Sequence, residues 1–234
     1  MTPSLCTIVP VLNEAAQLPA RLAALQPLRA RGVQVVVVDG GSDDRTTAVA
    51  AALADQVLQA PRGRASQMNA GANATRSDHV LFLHADTVLP ADADQLIAAA
   101  LAQACWGRFD VRIDSPLPLL RVVERAMNVR SRLTGIATGD QAIFATRAAF
   151  EAAGGFPPIA LMEDIALSTR LLHLGRPACL RQQVLTSGRR WEKNGVLRTV
   201  ALMWWLRLAY FLGADPRALA RRYGYQPPVA ADRP

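Results

Sequence analysis

The chain has little cysteine, a single lysine and no phosphate-cradling glycine loop. Its three cysteines, Cys6, Cys105 and Cys179, stand far apart, without CxxC or Cys/His ligand spacing. That excludes a disulfide framework and a zinc knuckle, and makes a reducing compartment the default. The first apolar run leads into PVLNE and not into GxGxxG. A dinucleotide-dependent dehydrogenase needs those glycines so that a pyrophosphate can approach the first helix, and that class drops out. GxxxxGK[ST] is missing as well, which removes the P-loop NTPases. Aromatics make up only 6% of residues. The most apolar stretch, residues 199–212, would extend roughly 21 Å as a helix, short of the ~30 Å hydrocarbon core of a bilayer. The N-terminus has no basic region ahead of an apolar stretch, so no secretory signal is expected, and a cytoplasmic location is.

What is present is enough for a full core: 51% of the 234 residues are apolar and 19% charged. Disordered, collagen-like and miniprotein classes are excluded. The net charge of +7 is unevenly placed. Residues 1–180 hold 16 basic and 16 acidic side chains, whereas residues 181–234 hold 10 basic and 3 acidic ones. A basic tail of this kind suits nucleic acid, an anionic membrane surface or a phosphorylated substrate.

Apolar, β-branched runs alternate with alanine-rich stretches over the first 90 residues, the pattern of a parallel sheet covered by helices. Strands are expected at 5–10, 33–38, 56–59 and 79–83. Helices are expected from 13 or 14 to 30, from a cap at Ser42 or Asp43 to 53, and over 66–74. Further on, 91–104, 117–133 and a segment starting at Glu163 read as helices, and 106–113 and 141–145 as strands. In such a sheet the ligand crevice lies beyond the carboxyl ends of the strands, where helix N-termini offer free N–H groups. Pro10, Asn13 and Glu14 follow the first strand; Asp39, Ser42 and Asp43 the second; Arg62 and Arg64 the third; His84 and Asp86 the fourth. Each could be a cap or turn residue, but packing does not explain their gathering at successive strand ends, and together they mark a ligand crevice in which a nucleotide could bind with its base near the first two strands. Asp39 stands where a carboxylate can accept hydrogen bonds from a base or ribose.

The segments TIVPVLNE, VVVVDGGSDDRT, RGRASQMNAGA and VLFLHAD resemble the nucleotide-binding half of family 2 glycosyltransferases, and weaker matches continue through TGDQAIF, LMEDIALSTRL and GRRW. The wording and length of these motifs look most like the small glycosyltransferases of selenodomain and arsenosugar-type gene neighbourhoods. The resemblance implies a GT-A fold, an α/β domain with a mostly parallel central sheet flanked by helices. Residues 1–88 would be its nucleotide-binding half, 89–188 its acceptor half, and 189–234 a helical, basic C-terminal extension.

It also implies a nucleotide-diphosphate-sugar donor, an unidentified acceptor, no nucleic-acid partner, inversion at the anomeric carbon, and Mg²⁺ or Mn²⁺. HAD at 84–86 stands where these enzymes carry DxD, which leaves Asp86 as the metal ligand; a hard cation often takes only one or two protein carboxylates. Arg64 would face the diphosphate, and Asp140 a sugar or acceptor hydroxyl. Arg190 and Trp191 resemble the family's RW element without its leading glutamine. The acceptor's proton would go to the Glu163–Asp164 pair. Neighbours on a helix point about 100° apart, so one of the two faces the cleft, and the family's second acid, Asp164, is the choice. His79 and His173 read as structural. Met203, Trp204, Trp205 and Phe211 form an apolar band that the domain, a second copy in a homodimer or a bilayer interface must cover. The alternatives are a sugar-1-phosphate nucleotidyltransferase, against which PVLNEAAQ argues because it is neither glycine-rich nor lysine-bearing, and a non-catalytic protein that binds anions or a membrane surface.

Overall fold

Valine and isoleucine fill the segments that become the central strands, and both faces of those strands are buried. In the computed structural model, which describes residues 3–225, the strands are β1 Leu5–Val11, β2 Gln34–Asp39, β3 Gln56–Gln59, β4 His79–Phe82, β5 Thr87–Val88, β6 Trp106–Asp114, β7 Phe144–Thr146 and β8 Ala178–Ser187. They form one sheet in the order β3-β2-β1-β4-β7-β6-β8-β5. The β3-β2-β1-β4 block is parallel, with Val9 opposite Val37 and Val11 opposite Asp39. Beyond it, β7 pairs antiparallel with both β4 and β6, β8 is parallel to β6, and β5 closes the edge antiparallel to β8.

The helices are α1 Leu18–Ala24, α2 Gln26–Ala30, α3 Thr46–Leu53, α4 Arg64–Asn73, α5 Ala93–Leu101, α6 Leu119–Thr134, α7 Arg147–Ala152, α8 Glu163–Leu172, α9 Arg189–Asn194, α10 Val196–Phe211 and α11 Pro216–Tyr223. Two apolar cores sandwich the sheet. Val9, Val35, Val37 and Leu81 point into one; Ile8, Val36, Val38, Val80 and Phe82 into the other. Burying each such side chain stabilises the fold by roughly 1.5–3 kcal/mol. Helix α4 lies so close to the sheet that a Cβ on Gly71 would sit 2.5 Å from Cγ2 of Ile8. On the other half, the β6–β8 register shifts between Phe109 and Asp110. Asn128 of α6 binds the Val111 backbone there, its Oδ1 accepting from the N–H at 2.9 Å and its Nδ2 donating to the carbonyl at 3.0 Å.

Four local expectations need correction. The helix expected from 13 or 14 to 30 starts later, at Leu18, and breaks into α1 and α2, each with a proline at its first turn. Asn13 is in the left-handed region at φ 54°, and no helix can pass through it. The helix after β2 is not capped by Ser42 or Asp43: it begins at Thr46, whose N–H donates to Asp44 Oδ1 at 2.9 Å. The strand expected at 141–145 is displaced to β7, because residues 139–141 form a single 3-10 turn and Ala142 has φ 48°. Strands β5 and β8 were not expected.

Candidate active site

The parallel register brings the ends of β1, β2 and β4 together, and the chain turns outward there into polar loops. Gln67 of α4 ties two of these ends: its buried Nε2 donates to the carbonyls of Val11 and Val38, both at 2.8 Å. A Cβ on Gly40 would sit 3.0 Å from that amide, so glycine gives Gln67 room to cross. Beyond β2, Asp39 is only 1% exposed; its Oδ2 accepts the N–H groups of Gly41 and Ser42 at 3.0 Å each, and its Oδ1 accepts the Ser42 hydroxyl. Ser42 Oγ in turn accepts from Asn13 N at 2.9 Å, and Asn13 Oδ1 accepts from Asp43 N at 3.0 Å. Asn13, Asp39, Ser42 and Asp43 thus lock the β1 and β2 loops to each other.

A cleft of about 180 Å³ opens at the β1 and β4 ends, lined by Pro10, Glu14, Arg64, His84, Asp86 and Tyr225 among others. Of the other expected site residues, Asn13, Asp39, Ser42, Asp43, Asp140, Glu163, Asp164, Arg190 and Trp191 do not line it. Trp191 is half-buried on α9. Burial raises the Glu14 carboxyl, Arg189 pulls it down, and the nearby Asp86 charge raises it again. Asp86 has one side-chain partner among the described residues, the Thr87 hydroxyl, which donates to its Oδ1 at 3.3 Å. No group of three His, Cys, Asp or Glu side chains suited to a metal occurs among the described residues. The donor set still fits a hard cation that shares its shell with a phosphorylated ligand. Asp86 offers a carboxylate that enters no ion pair among the described residues, and a divalent cation there would relieve its repulsion with Glu14.

Arg64 opens α4, and its Nε lies 2.7 Å from Glu163 Oε1. Glu163 is 2% exposed, and its Oε2 has no partner. Burial raises the Glu163 carboxyl, Arg64 lowers it and Asp164 raises it. The same pair holds the Arg64 guanidinium protonated. One residue further on, Asp164 Oδ2 accepts from Gly139 N and its Oδ1 from Ile165 N, both at 2.8 Å. The two acids therefore diverge as a helix requires: Glu163 turns inward to Arg64, and Asp164 turns to the 139–141 turn. The His84 ring packs against Gly139 so closely that no side chain fits at 139. Burial, then the Arg64 charge, keeps His84 neutral. Asp140 Oδ1 is buried without a partner; burial raises this carboxyl, and Asp164 adds to the effect.

Two site residues escaped the sequence reading, Tyr223 and Tyr225 at the end of α11. Arg190 stacks on Tyr223 with its Cζ 4.0 Å from the ring centroid, and its Nη1 donates to the Tyr223 carbonyl at 3.2 Å. Tyr225 reaches the cleft wall beneath Arg62, whose Cζ is 6.0 Å from the ring centroid. A more local clue existed for Gln67, inside the motif RGRASQMN. A separate groove of about 380 Å³, lined by Arg112, Asp114, Arg121 and Gln183 among others, lies along β6 and β8.

A mostly parallel, helix-covered sheet with polar loops and a helix N-terminus gathered at its strand ends defines an α/β protein of GT-A architecture. Solved GT-A structures share it. The mannosyltransferase PcManGT of Pyrobaculum calidifontis, in complex with GDP-Man and Mn²⁺, superposes with a TM-score of 0.63 at 23% identity, over 97% of this chain and 67% of that one. Glucosyl-3-phosphoglycerate synthase of Mycobacterium tuberculosis, in complex with Mn²⁺, UDP and glucosyl-3-phosphoglycerate, gives 0.61 at 18% identity over 97% and 82%. S. aureus TarS 1-349 in complex with UDP gives 0.64 at 18% identity over 79% and 60%.

The chain belongs to glycosyl transferase family 2, which residues 6–147 match. Curated relatives include uncharacterized glycosyltransferases of Mycobacterium tuberculosis and Mycobacterium bovis, 39% identical over 93 residues, which is 39% of this chain and 41% of theirs. The chain thus matches less than half the length of these relatives. No helix among the described residues is long and apolar enough to cross a membrane.

Proposed function

We propose that the protein transfers a sugar, with inversion, from a nucleoside-diphosphate sugar to an acceptor hydroxyl. The observation that carries this reading is the convergence of Arg64, Asp86 and Glu14 on one strand-end cleft, with Asp164 fixed at the neighbouring turn. The β1 and β2 loops, locked through Asn13, Asp39, Ser42 and Asp43, hold the nucleoside. Arg64, kept charged by Glu163, faces the diphosphate beside the free N–H groups of α4. Asp86 is the ligand for Mg²⁺ or Mn²⁺, which when bound neutralises charge on the departing diphosphate. The Mn²⁺ and nucleotide ligands of the superposed structures support both assignments.

Asp164 takes the proton of the acceptor hydroxyl while that oxygen bonds to the anomeric carbon, and the bond from that carbon to the diphosphate oxygen breaks on the opposite face. Two backbone N–H groups, from Gly139 and Ile165, fix the aim of the carboxylate. Glu163 is the anchor of Arg64 and not the base, because its Oε1 is held by the guanidinium and its Oε2 is buried. The unpartnered Asp140 Oδ1 accepts a substrate hydroxyl. Arg190 and Tyr223 close the cleft, and Trp191 stands behind them on α9.

The test is Asp164→Asn, followed by transfer or donor hydrolysis in Mn²⁺ and by donor affinity. Retained affinity with a fall in turnover of about 10²–10⁴-fold is expected. A fully active variant would move the base elsewhere.

A further inference from the structure

Helix α10 buries only one side. Thr199 and Leu206 are buried on it, and Leu202, Ala209 and Tyr210 pack beside Leu206 against Leu161, Met162 and Ile165. The opposite side is apolar and open: Leu197 is 74% exposed, Trp204 69%, Trp205 43%, Leu208 59% and Phe211 69%. At 100° per residue these five fall within an arc of about 120°, so they form one continuous stripe. An apolar stripe of this size on a helix that turns its other side to a core is not a packing requirement of the domain.

The charge around the stripe says what covers it. Arg198, Arg217, Arg221 and Arg222 are exposed on α10 and α11, and Arg222 lies over the Trp205 ring, its Cζ 4.4 Å from the centroid. Only Glu192 and Asp215 offset them among residues 181–225. A two-fold dimer through this face would set the arginine rim against its own copy, which repels. An apolar centre holding tryptophan, ringed by arginine, matches the head-group boundary of an anionic bilayer, where rings sit at the interface and guanidinium groups reach lipid phosphates.

We propose that the exposed stripe of α10 and its arginine rim seat the protein on an anionic lipid surface, α10 lying in the plane of the interface. At 16 residues the helix is too short to cross. The face is also joined to the cleft: Arg222 stacks on Trp205, and the residues that follow it, Tyr223 and Tyr225, pack under Arg190 and line the cleft wall. Docking therefore presents the cleft beside the lipid head groups.

The test is co-sedimentation of the intact protein with phosphatidylcholine vesicles and with vesicles that also contain phosphatidylglycerol, at low and high salt. Binding to the anionic vesicles, weakened by salt, is expected. The pair Trp204→Glu and Phe211→Glu, both at exposed positions, should weaken it at least tenfold with the folded signal by circular dichroism unchanged. Arg221→Glu with Arg222→Glu should remove most of the dependence on phosphatidylglycerol. Equal partition of parent and Trp204→Glu/Phe211→Glu protein, or no binding to either vesicle, overturns the proposal. A concentration-dependent dimer in light scattering that the same two substitutions abolish, without vesicle binding, assigns the face to a second copy instead.

Discussion

Replacing Arg64 with methionine removes a guanidinium but keeps a long apolar side chain, and it strands the carboxylate of Glu163. That carboxylate is 2% exposed, its Oε2 has no partner, and its Oε1 relies on Arg64 Nε at 2.7 Å. Breaking a fully buried pair from one side costs about 3–5 kcal/mol. Arg64 keeps 37% of its side chain exposed, and solvent screens the pair, so about 2–3 kcal/mol is the reasonable loss. For a chain of this size, that lowers Tm by about 4–12 °C.

The loss must depend on pH, and its sign follows from the carboxyl. Burial already raises the folded pKa of Glu163 above its unfolded value, and without Arg64 it rises further. A group of this kind stabilises the fold fully below its unfolded pKa and loses that contribution as pH rises through the folded pKa. The deficit of Arg64→Met relative to the parent should be small near pH 4 and grow by up to about 1.4 kcal/mol per pH unit. It then levels off once the buried carboxyl is ionised. Urea unfolding at about pH 5 and about pH 8 measures it. Glu163→Gln in the Arg64→Met background should recover most of the loss at the higher pH. An equal deficit at both pH values, or no recovery in the double variant, would refute the reasoning.

Gly71→Ala should destabilise by about 1–3 kcal/mol, because its Cβ meets Ile8 Cγ2 at 2.5 Å and Val38 Cγ2 at 3.0 Å; thermal unfolding reads the change, and an unchanged Tm would show that α4 can lift off the sheet. The Cys6 thiol is pushed up to about 12 by burial in the core, so it should resist a thiol reagent near pH 8 until the protein unfolds, whereas labelling at the rate of a free thiol would place it at the surface.

The valine-rich half of the fold was legible because a strand buried on both faces is a short apolar run. The cores of β1, β2 and β4 follow from that alone; β3, only half-buried along QVLQ, does not. Strand β8 was not legible: Arg181, Gln182 and Gln183 interrupt it, and it is a strand because β6 supplies the ladder. The break between Asn13 and Leu18 was hidden for a similar reason. Its cause is a set of hydrogen bonds from Asn13, Glu14 and Ala15 to residues 42–46, some thirty positions away.

At the site, Glu14, Arg64 and Asp86 could be placed from strand ends, since the parallel register gathers whatever follows the strands. The pairing of Arg64 with Glu163 could not, because 99 positions separate the two and only the tertiary fold brings the starts of α4 and α8 together. Tyr225 carries no motif at all; it reaches the cleft because Leu219 and Ala220 of α11 pack against Leu161, Met162 and Ile165. The apolar band of α10 was visible as composition, but which of its residues face outward depends on the side that Leu206 buries.

The most direct check on the nucleotide-sugar reading is calorimetric titration of UDP and of GDP into the parent protein and into Asp86→Asn, with and without Mn²⁺. Mn²⁺ should tighten binding of at least one nucleoside diphosphate to the parent, by about tenfold or more, and should have no such effect on Asp86→Asn. Identical affinities in the two proteins, with Mn²⁺ present, would contradict the role given to the carboxylate at the end of the fourth strand.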